Sequence, residues 1–563
     1  MRIAFLNEKR SENMAESTHP LTGSFPVQSK TNSKVEWPFW KPTVLDFFFI
    51  ATIAWLFALG PAGWDSLLAD GDTGWHIRAG EYILKNKKFI HEDFFSFSRP
   101  GQLWFAWEWL SEVWFAVLNS FGGLKAVVLY CGVVITLSFT LMFRHMIWRG
   151  ATPLVAMGIS LVATGAASNH YLARPHVITF LFLAVSLFLI DVDRTRPTKW
   201  LWSLIPLTVL WTNLHGGFFS LIACLGLVAI GSAMAKDWTK MWRYGILGGL
   251  CLVSSVINPY GIALHKHMVE YLQSDWIKSV VEEFQSPSFR KENVLQFEGL
   301  MFLGIGFAGF LISRKKYVEA LLILFWAHNA LASVRHISVF VLVASPIIAA
   351  EISHWLRTLA DGKPKNSVPR ILESMSDDLR PACMHASIWL VAAVIGLVMW
   401  NDPKRWPQDF PKEKFPVAMV SKHAKLLTES RVLAPDEWGD YMIYRFFPDV
   451  RVFFDGRSDF YGQTLGKDYI ALLSGSYEWE ELLKKHNFTA VFIPPGWPLA
   501  SILKRNAEWK TLEDDGNAIL FIKRTNTKTY VKLGPSIDAE KKVPLDLMKN
   551  PKKAEITIRD NKS

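Results

Sequence analysis

Two carboxylates, an imidazole and a guanidinium fall within the short segment Asp70-Gly71-Asp72-Thr73-Gly74-Trp75-His76-Ile77-Arg78, which follows the apolar run beginning near Val44. Ionisable groups at a membrane boundary mark substrate or ion sites. A carboxylate such as Asp72 can deprotonate or orient an acceptor hydroxyl or amide. An arginine can hold a leaving phosphate with a permanently charged, bidentate fork. Asp72 could also simply cap the helix that follows it, but capping alone leaves Asp70 and Arg78 unexplained. Together these groups suit transfer of a sugar carried on a lipid phosphate. Such a donor arrives through the bilayer and needs no nucleotide pocket, and the chain has no glycine-rich phosphate loop.

The elements that must position these groups are those of a membrane protein. Of 563 residues, 50% are hydrophobic and 20% charged, with 25 Trp and 39 Phe, a membrane composition diluted by soluble segments. The formal net charge of +10 lies mostly at the ends of apolar runs and after Lys541, which reads as topogenic charge and not as a nucleic-acid surface. The four cysteines, Cys131, Cys224, Cys251 and Cys383, imply no disulfide framework. The polar N-terminal stretch lacks the pattern of a cleaved signal, so the run from Val44 reads as a retained anchor.

Apolar runs of bilayer-crossing length begin near Val44, Lys125, Thr152, His176, Trp200, Phe218, Tyr244, Gly299, Val318, Ile337 and His385, which predicts about eleven spans. Trp109 to Phe121 reads as an interfacial helix. With that choice, Arg144 to Arg149, Arg194 to Lys199, Lys236 to Arg243, Arg314 to Lys316 and Arg357 to Arg380 all fall on the side of the N-terminus, as the positive-inside rule requires. The fold class is therefore a polytopic α-helical membrane protein with a C-terminal exported α/β domain. The expected division is a cytoplasmic segment 1–43, a transmembrane domain 44–400 with a first exported loop 61–124, an exported domain 401–525, and a disordered tail 526–563. In the exported domain, Arg431 to Ala434, Val450 to Phe454, Ala490 to Pro494 and Ala518 to Lys523 read as strands. Tyr441 to Phe447, Tyr477 to His486 and Pro498 to Asn506 read as helices.

This topology collects on one face Asp70, Asp72, His76 and Arg78, then Glu108 and Glu112, Arg174 and His176, Asn213 and His215, Asn258, His265, His267, Glu282 and Glu283, and finally Arg335 and His336. Arg174, His176, Arg335 and His336 could be snorkelling interface residues or binders of an anionic lipid head. His265 and His267 lack a clear third metal ligand.

Asp72 to Arg78, followed by Glu81-Tyr82-Ile83-Leu84 and then Asp93-Phe94-Phe95-Ser96-Phe97-Ser98-Arg99-Pro100-Gly101, resembles the first exported loop of GT-C membrane glycosyltransferases. In spacing it is similar above all to the catalytic subunit of oligosaccharyltransferases. The helix after Glu108-Trp109 resembles the second juxtamembrane helix of protein mannosyltransferases and aminoarabinose transferases, although Trp107-Glu108-Trp109 replaces the Lys-Pro-Pro segment of the latter. The resemblance implies that Asp72 is catalytic, as base or metal ligand, and that Arg335 and Arg174 bind the donor phosphate. Glu437-Trp438-Gly439-Asp440-Tyr441 resembles the Trp-Trp-Asp-Tyr-Gly acceptor motif with Gly and Asp transposed. Trp438 and Asp440 are thus acceptor-side candidates, or else a strand-to-helix turn with Gly439 at the bend and Asp440 as cap. Asp455-Gly456-Arg457-Ser458-Asp459 reads as a similar turn or as a substrate-facing surface.

The expected protein is a multi-pass plasma-membrane glycosyltransferase with a cytoplasmic N-terminus. It moves a sugar from a polyprenyl phosphate or diphosphate to a glycan, lipid or protein acceptor at the exported face. Asp72 is the expected catalytic residue, supported by Asp70, with the two sharing a divalent cation (Mg or Mn) if one is used. Arg78, His76, Arg174, Arg335, His336 and Glu108 are expected to contact donor or phosphate. The rival is a transporter or a lipid-linked-sugar-binding scaffold. Transporters typically show paired repeats and polar helices at mid-membrane, whereas here the ionisable groups gather at one face.

Overall fold

A computed structural model describes residues 38–59, 63–400 and 406–524. The cytoplasmic segment expected before residue 38, the junction at 401–405 and the expected disordered tail lie outside the described residues. Residues 38–59, 63–64 and 128–400 form one compact unit, and 65–127 with 406–524 form a second. This division differs from the expected one, in which 61–124 was a loop of the membrane domain. The cause is local packing: helix Asp72–Asn86 lies against helix Asp436–Phe446.

In the first unit every predicted apolar run is helical, from Val44–Ala54 through Pro153–Ala167, Val177–Thr195 and Tyr317–Ala332 to Trp389–Met399. A helix satisfies its own backbone polar groups, as lipid demands. Among the described residues four helices are long and apolar enough to cross a membrane: Trp109–Trp148, Gly216–Met234, Asn293–Ser313 and Val334–Ala360. The backbone of Trp109–Trp148 breaks at Gly123, where φ is 63°, a conformation glycine adopts without a steric penalty. The break separates the run predicted as interfacial from the run after Lys125.

Two polar clusters fasten this unit. Thr43 and Asp46 form a reciprocal capping box, with N–H to side-chain distances of 2.8 and 3.1 Å. Asp46 also accepts from the Ser387 backbone N–H and hydroxyl, at 3.0 and 2.6 Å, which ties the first helix to the start of the last. Farther along, Asp191 pairs with Arg149 and lies 2.8 Å from His145 Nε2, while Glu319 accepts from Arg149 at 3.2 Å and Arg194 at 2.9 Å. Part of the charge that reads as topogenic in the sequence therefore joins three helices inside the unit.

The second unit contains a four-stranded sheet in the order β1-β2-β4-β3, with β1 Val432–Leu433, β2 Ala490–Ile493, β3 Trp509–Asp514 and β4 Ile519–Lys523. β1 runs parallel to β2, with Val432 opposite Ala490. β2 and β4 are antiparallel, with Val491 opposite Phe521. β2 is buried along its whole length, which suits its unbroken apolar sequence. Val450 to Phe454, predicted as a strand, is not part of the sheet. Val452 makes only an isolated bridge to Ser96 of the first loop, so its apolar side chains serve the packing of that loop. β3, with its mostly exposed side chains, and helix Ser458–Leu473 were not anticipated.

Candidate functional site

In the second unit, helix Asp72–Asn86 begins at the predicted catalytic residue. Asp70 Oδ1 accepts the Asp72 backbone N–H at 2.8 Å, so Asp70 performs the capping role that had been weighed for Asp72. This leaves the Asp72 carboxylate for other partners. It is buried, 6% exposed, and accepts from Trp75 Nε1 at 3.1 Å. Gly74 permits the close approach of helix Asp436–Phe446, since a Cβ there would lie 2.8 Å from Tyr444 Cβ and 2.9 Å from the Asp440 carbonyl oxygen.

That approach brings a second carboxylate to the site. Asp440 is 1% exposed, and its two oxygens accept the Gly456 N–H at 3.0 and 3.2 Å. A Cβ on Gly456 would overlap Asp72 Oδ1 and lie 3.1 Å from Asp440 Oδ2, so the two carboxyl groups flank one glycine. Burial, reinforced by the charges of Asp72 and Asp455, pushes the Asp440 carboxyl well above the ordinary carboxylate range, against the Gly456 hydrogen bond. The pair therefore tends to retain a proton. Gly439 and Asp440 lie inside the helix and not at a turn, which corrects the cap interpretation.

The loop carrying Gly456 is fixed by its neighbours. Arg457 is 2% exposed, and its Nη2 lies 2.9 Å from Asp93 Oδ1 and 2.7 Å from Asp455 Oδ2. The guanidinium is 4.3 Å from the Trp104 ring centroid and 5.0 Å from that of Phe460. Tyr461 donates its hydroxyl to Asp455 at 2.7 Å. The Asp-Gly-Arg run that could have faced substrate is thus a buried clamp that sets Gly456 between the paired Asp455 and Arg457.

The other predicted residues of this unit separate by environment. His76 is buried, with Nε2 3.5 Å from Glu108 Oε2 and Nδ1 3.7 Å from Glu112 Oε1, and its ring centroid lies 3.6 Å from that of Trp75. Arg78 is committed to structure: it donates to the Tyr444 carbonyl and, at 2.6 Å, to Glu81, and it stacks 5.1 Å from the Tyr444 ring. Those bonds use three of its five N–H donors. Trp438 is buried, donates to the Lys414 carbonyl at 3.0 Å and packs on Phe492, which makes it a core residue.

In the first unit, separate helix ends assemble a cationic group. Arg174 Nη1 lies 2.7 Å from Glu283 Oε1. The Arg335 guanidinium stacks 4.6 Å from the Phe284 ring, and the Ser333 hydroxyl holds the Glu283 carbonyl at 2.7 Å. His170 and His176 have ring centroids 4.2 Å apart, with His215 a further 6.3 Å from His176. Burial opposes ionisation of Glu283, but Arg174, His170 and Arg335 outweigh it and hold the carboxyl down at about 2. Burial, then the charges of Arg335 and Arg174, lower His215 to about 3, so this imidazole stays neutral. His336 lies beside Trp326, with centroids 6.0 Å apart. Of this group the sequence had not singled out His170, whose context, Ser168-Asn169-His170, carries no motif.

Among the described residues no three His, Cys, Asp or Glu side chains are arranged to hold a metal ion. Asp70, the expected partner of Asp72 in a metal site, spends an oxygen on the helix cap.

No protein-family model matches the chain, and no curated protein matches it. Among solved structures it is similar to the Archaeoglobus fulgidus oligosaccharyltransferase in the apo form, with a TM-score of 0.51 and 10% identity over 80% of this chain and 69% of that one. The fold resembles that of this archaeal enzyme. The same archaeal enzyme, tethered by a disulfide to an acceptor peptide containing the NVT sequon, gives a TM-score of 0.48 at 10% identity over 80% and 68% of the two chains. The shared fold agrees with a membrane-type helical domain carrying a small C-terminal sheet.

Proposed function

We propose that this protein is a membrane glycosyltransferase that moves a sugar from a polyprenyl-phosphate or diphosphate carrier to an acceptor at the exported face of the plasma membrane. The observation that carries the proposal is the convergence of Asp72 and Asp440 on Gly456, two buried carboxyl groups drawn from the first loop and the C-terminal segment. A buried carboxylate beside a second carboxyl that retains a proton is a competent general base. Asp72 takes the proton of the acceptor hydroxyl or amide as its oxygen or nitrogen attacks the anomeric carbon. The carbon–phosphate oxygen bond breaks, and the electron pair leaves with the carrier phosphate. Arg335 and Arg174 of the first unit are the proposed binders of a lipid-linked phosphate. Asp440, acting from the acceptor-like segment, orients Asp72 and the acceptor. The fold likeness supports a glycosyl-transfer chemistry of this kind, and a divalent cation, if one takes part, would draw ligands from substrate or solvent in addition to these carboxyl groups.

The test compares lipid-linked sugars and envelope glycans in cells lacking the protein and in cells complemented with wild type or Asp72→Asn at matched expression. The proposal predicts that the carrier-linked sugar accumulates and one glycan disappears in both the null and the mutant. Full restoration by Asp72→Asn would contradict it.

A further inference from the structure

The stretch between helices Val334–Ala360 and Trp389–Met399, which reads in the sequence as topogenic charge, contains helix Val368–Leu379. Val368, Ile371, Leu372, Met375 and Leu379 share one face of it, at the three- and four-residue spacing of an apolar stripe. All five are exposed, from 37% at Leu379 to 68% at Val368. A contiguous apolar patch of this kind marks a surface that meets protein or membrane. The opposite face carries Arg370, paired with Glu373 at 2.8 Å, together with Ser374 and Asp377. A third side packs on protein: Ser376 is buried, and the helix lies against the helix ending at Ala360 and against Pro153–Ala167.

Two hydrogen bonds fix the level of this stretch. Arg357 donates to the Gly150 carbonyl at 2.7 Å and Arg380 to the Ile147 carbonyl at 3.3 Å. Both bonds fall on the turn where Trp109–Trp148 ends, and Trp109–Trp148 and Val334–Ala360 are each long and apolar enough to cross a membrane. Arg149 of that turn pairs with Asp191, and Arg243 pairs with Asp193 at 2.7 Å, which brings the segments around Trp200 and Trp238 to the same end of the unit. Trp200, Trp238 and Trp242, with Trp355 near the end of Val334–Ala360, are 58–66% exposed. Tryptophan collects at headgroup level. The exposed indoles therefore mark a bilayer boundary at the end of the unit where helix Val368–Leu379 lies.

We propose that helix Val368–Leu379 lies in the membrane plane, with its apolar stripe seated at the boundary between headgroups and acyl chains of the bilayer that the spans cross. The occupant of the stripe is lipid. Asp361 to Arg380 holds four basic and four acidic residues, so attraction to anionic headgroups adds little, and the stripe seats on zwitterionic and anionic lipid alike. The inference rests on the membrane-type helical unit and is independent of the chemistry assigned to Asp72.

Nitroxide labels on Ile371→Cys, Met375→Cys, Ser374→Cys and Asp377→Cys, each in the otherwise wild-type full-length protein, test this in nanodiscs of phosphatidylcholine with and without phosphatidylglycerol. The four native cysteines are buried, and an unsubstituted preparation corrects for any label they take. At each position the collision rate with oxygen, which concentrates among acyl chains, is compared with that of a water-soluble nickel chelate, which stays outside them. The oxygen-to-nickel ratio is expected to be severalfold higher at Ile371 and Met375 than at Ser374 and Asp377 in both lipid mixtures. Equal ratios at the four positions would put the stripe in water and overturn the proposal. Shielding of Ile371 and Met375 from both reagents would mean that a second copy of the chain covers the stripe, and a pattern seen only with phosphatidylglycerol would mean that charge seats the helix; either result contradicts it.

Discussion

Replacing Gly456 by alanine perturbs the carboxylate pair without removing any functional group. The new methyl would overlap Asp72 Oδ1 and sit 3.1 Å from Asp440 Oδ2. Neither neighbour yields easily. Asp72 is held by Trp75 Nε1 at 3.1 Å, and its helix is locked onto helix Asp436–Phe446 at Gly74. Gly456 itself is flanked by Asp455 and Arg457, which are 0% and 2% exposed and paired at 2.7 Å. Overpacking of this kind costs about 1–3 kcal/mol of stability. A displacement of a reacting group by about 1 Å costs on the order of 100-fold in rate. The expected result is a folded protein with a modestly lowered Tm and transfer reduced by about two orders of magnitude. The assay is initial-rate sugar transfer in membranes from a null strain, alongside thermal unfolding of the same preparation. Wild-type transfer by Gly456→Ala would refute the claim that the geometry around Gly456 sets the reaction.

Further outcomes follow from the charged groups. Asp440 has a carboxyl raised above its ordinary value of 3.8, so the folded state favours the proton and stability falls as pH rises from that value through the folded pKa. Asp440→Asn should therefore raise the Tm at neutral pH, with the gain shrinking at acid pH, while transfer is lost; a lowered Tm at neutral pH would contradict this. Glu283 runs the other way: its folded value of about 2 lies below the ordinary 4.5, so its stabilisation is complete above 4.5 and fades as pH falls toward 2. Glu283→Gln should flatten that part of the acid-stability curve. Arg457→Met leaves Asp93 and Asp455 buried without their cation, and removing one partner of a buried pair costs roughly 3–5 kcal/mol; chemical unfolding that moves by less than about 1 kcal/mol would show that the clamp does not matter.

The parts legible in the sequence were those with a strong local signal. Apolar runs gave helices, the break between Trp109–Phe121 and the following run falls at Gly123, and β2 and β4 stand out as short unbroken apolar runs. Val450 to Phe454 carries the same signal as β2, yet its partner is Ser96 in a distant loop, and a pattern within one segment cannot name its partner. The site followed the same division. Asp72 could be singled out because it sits beside an apolar run with other charges. The capping role weighed for Asp72 belongs to Asp70, since only the backbone shows that Asp70 Oδ1 accepts the Asp72 N–H. Asp440 was visible only through an imperfect motif, and Gly456 was not visible as a contact at all, because its importance lies in the absence of a side chain where two distant carboxyl groups meet. Arg78 and Trp438 looked functional by type and neighbourhood, and three-dimensional partners account for both.

The most direct test of the account is transfer of labelled sugar from its lipid carrier by purified wild-type protein and by Asp72→Asn, with folding of both verified by thermal unfolding. The account predicts transfer by wild type and a loss of at least about 100-fold in the variant, within the range ascribed to a general base. Equal transfer by a folded Asp72→Asn would contradict it.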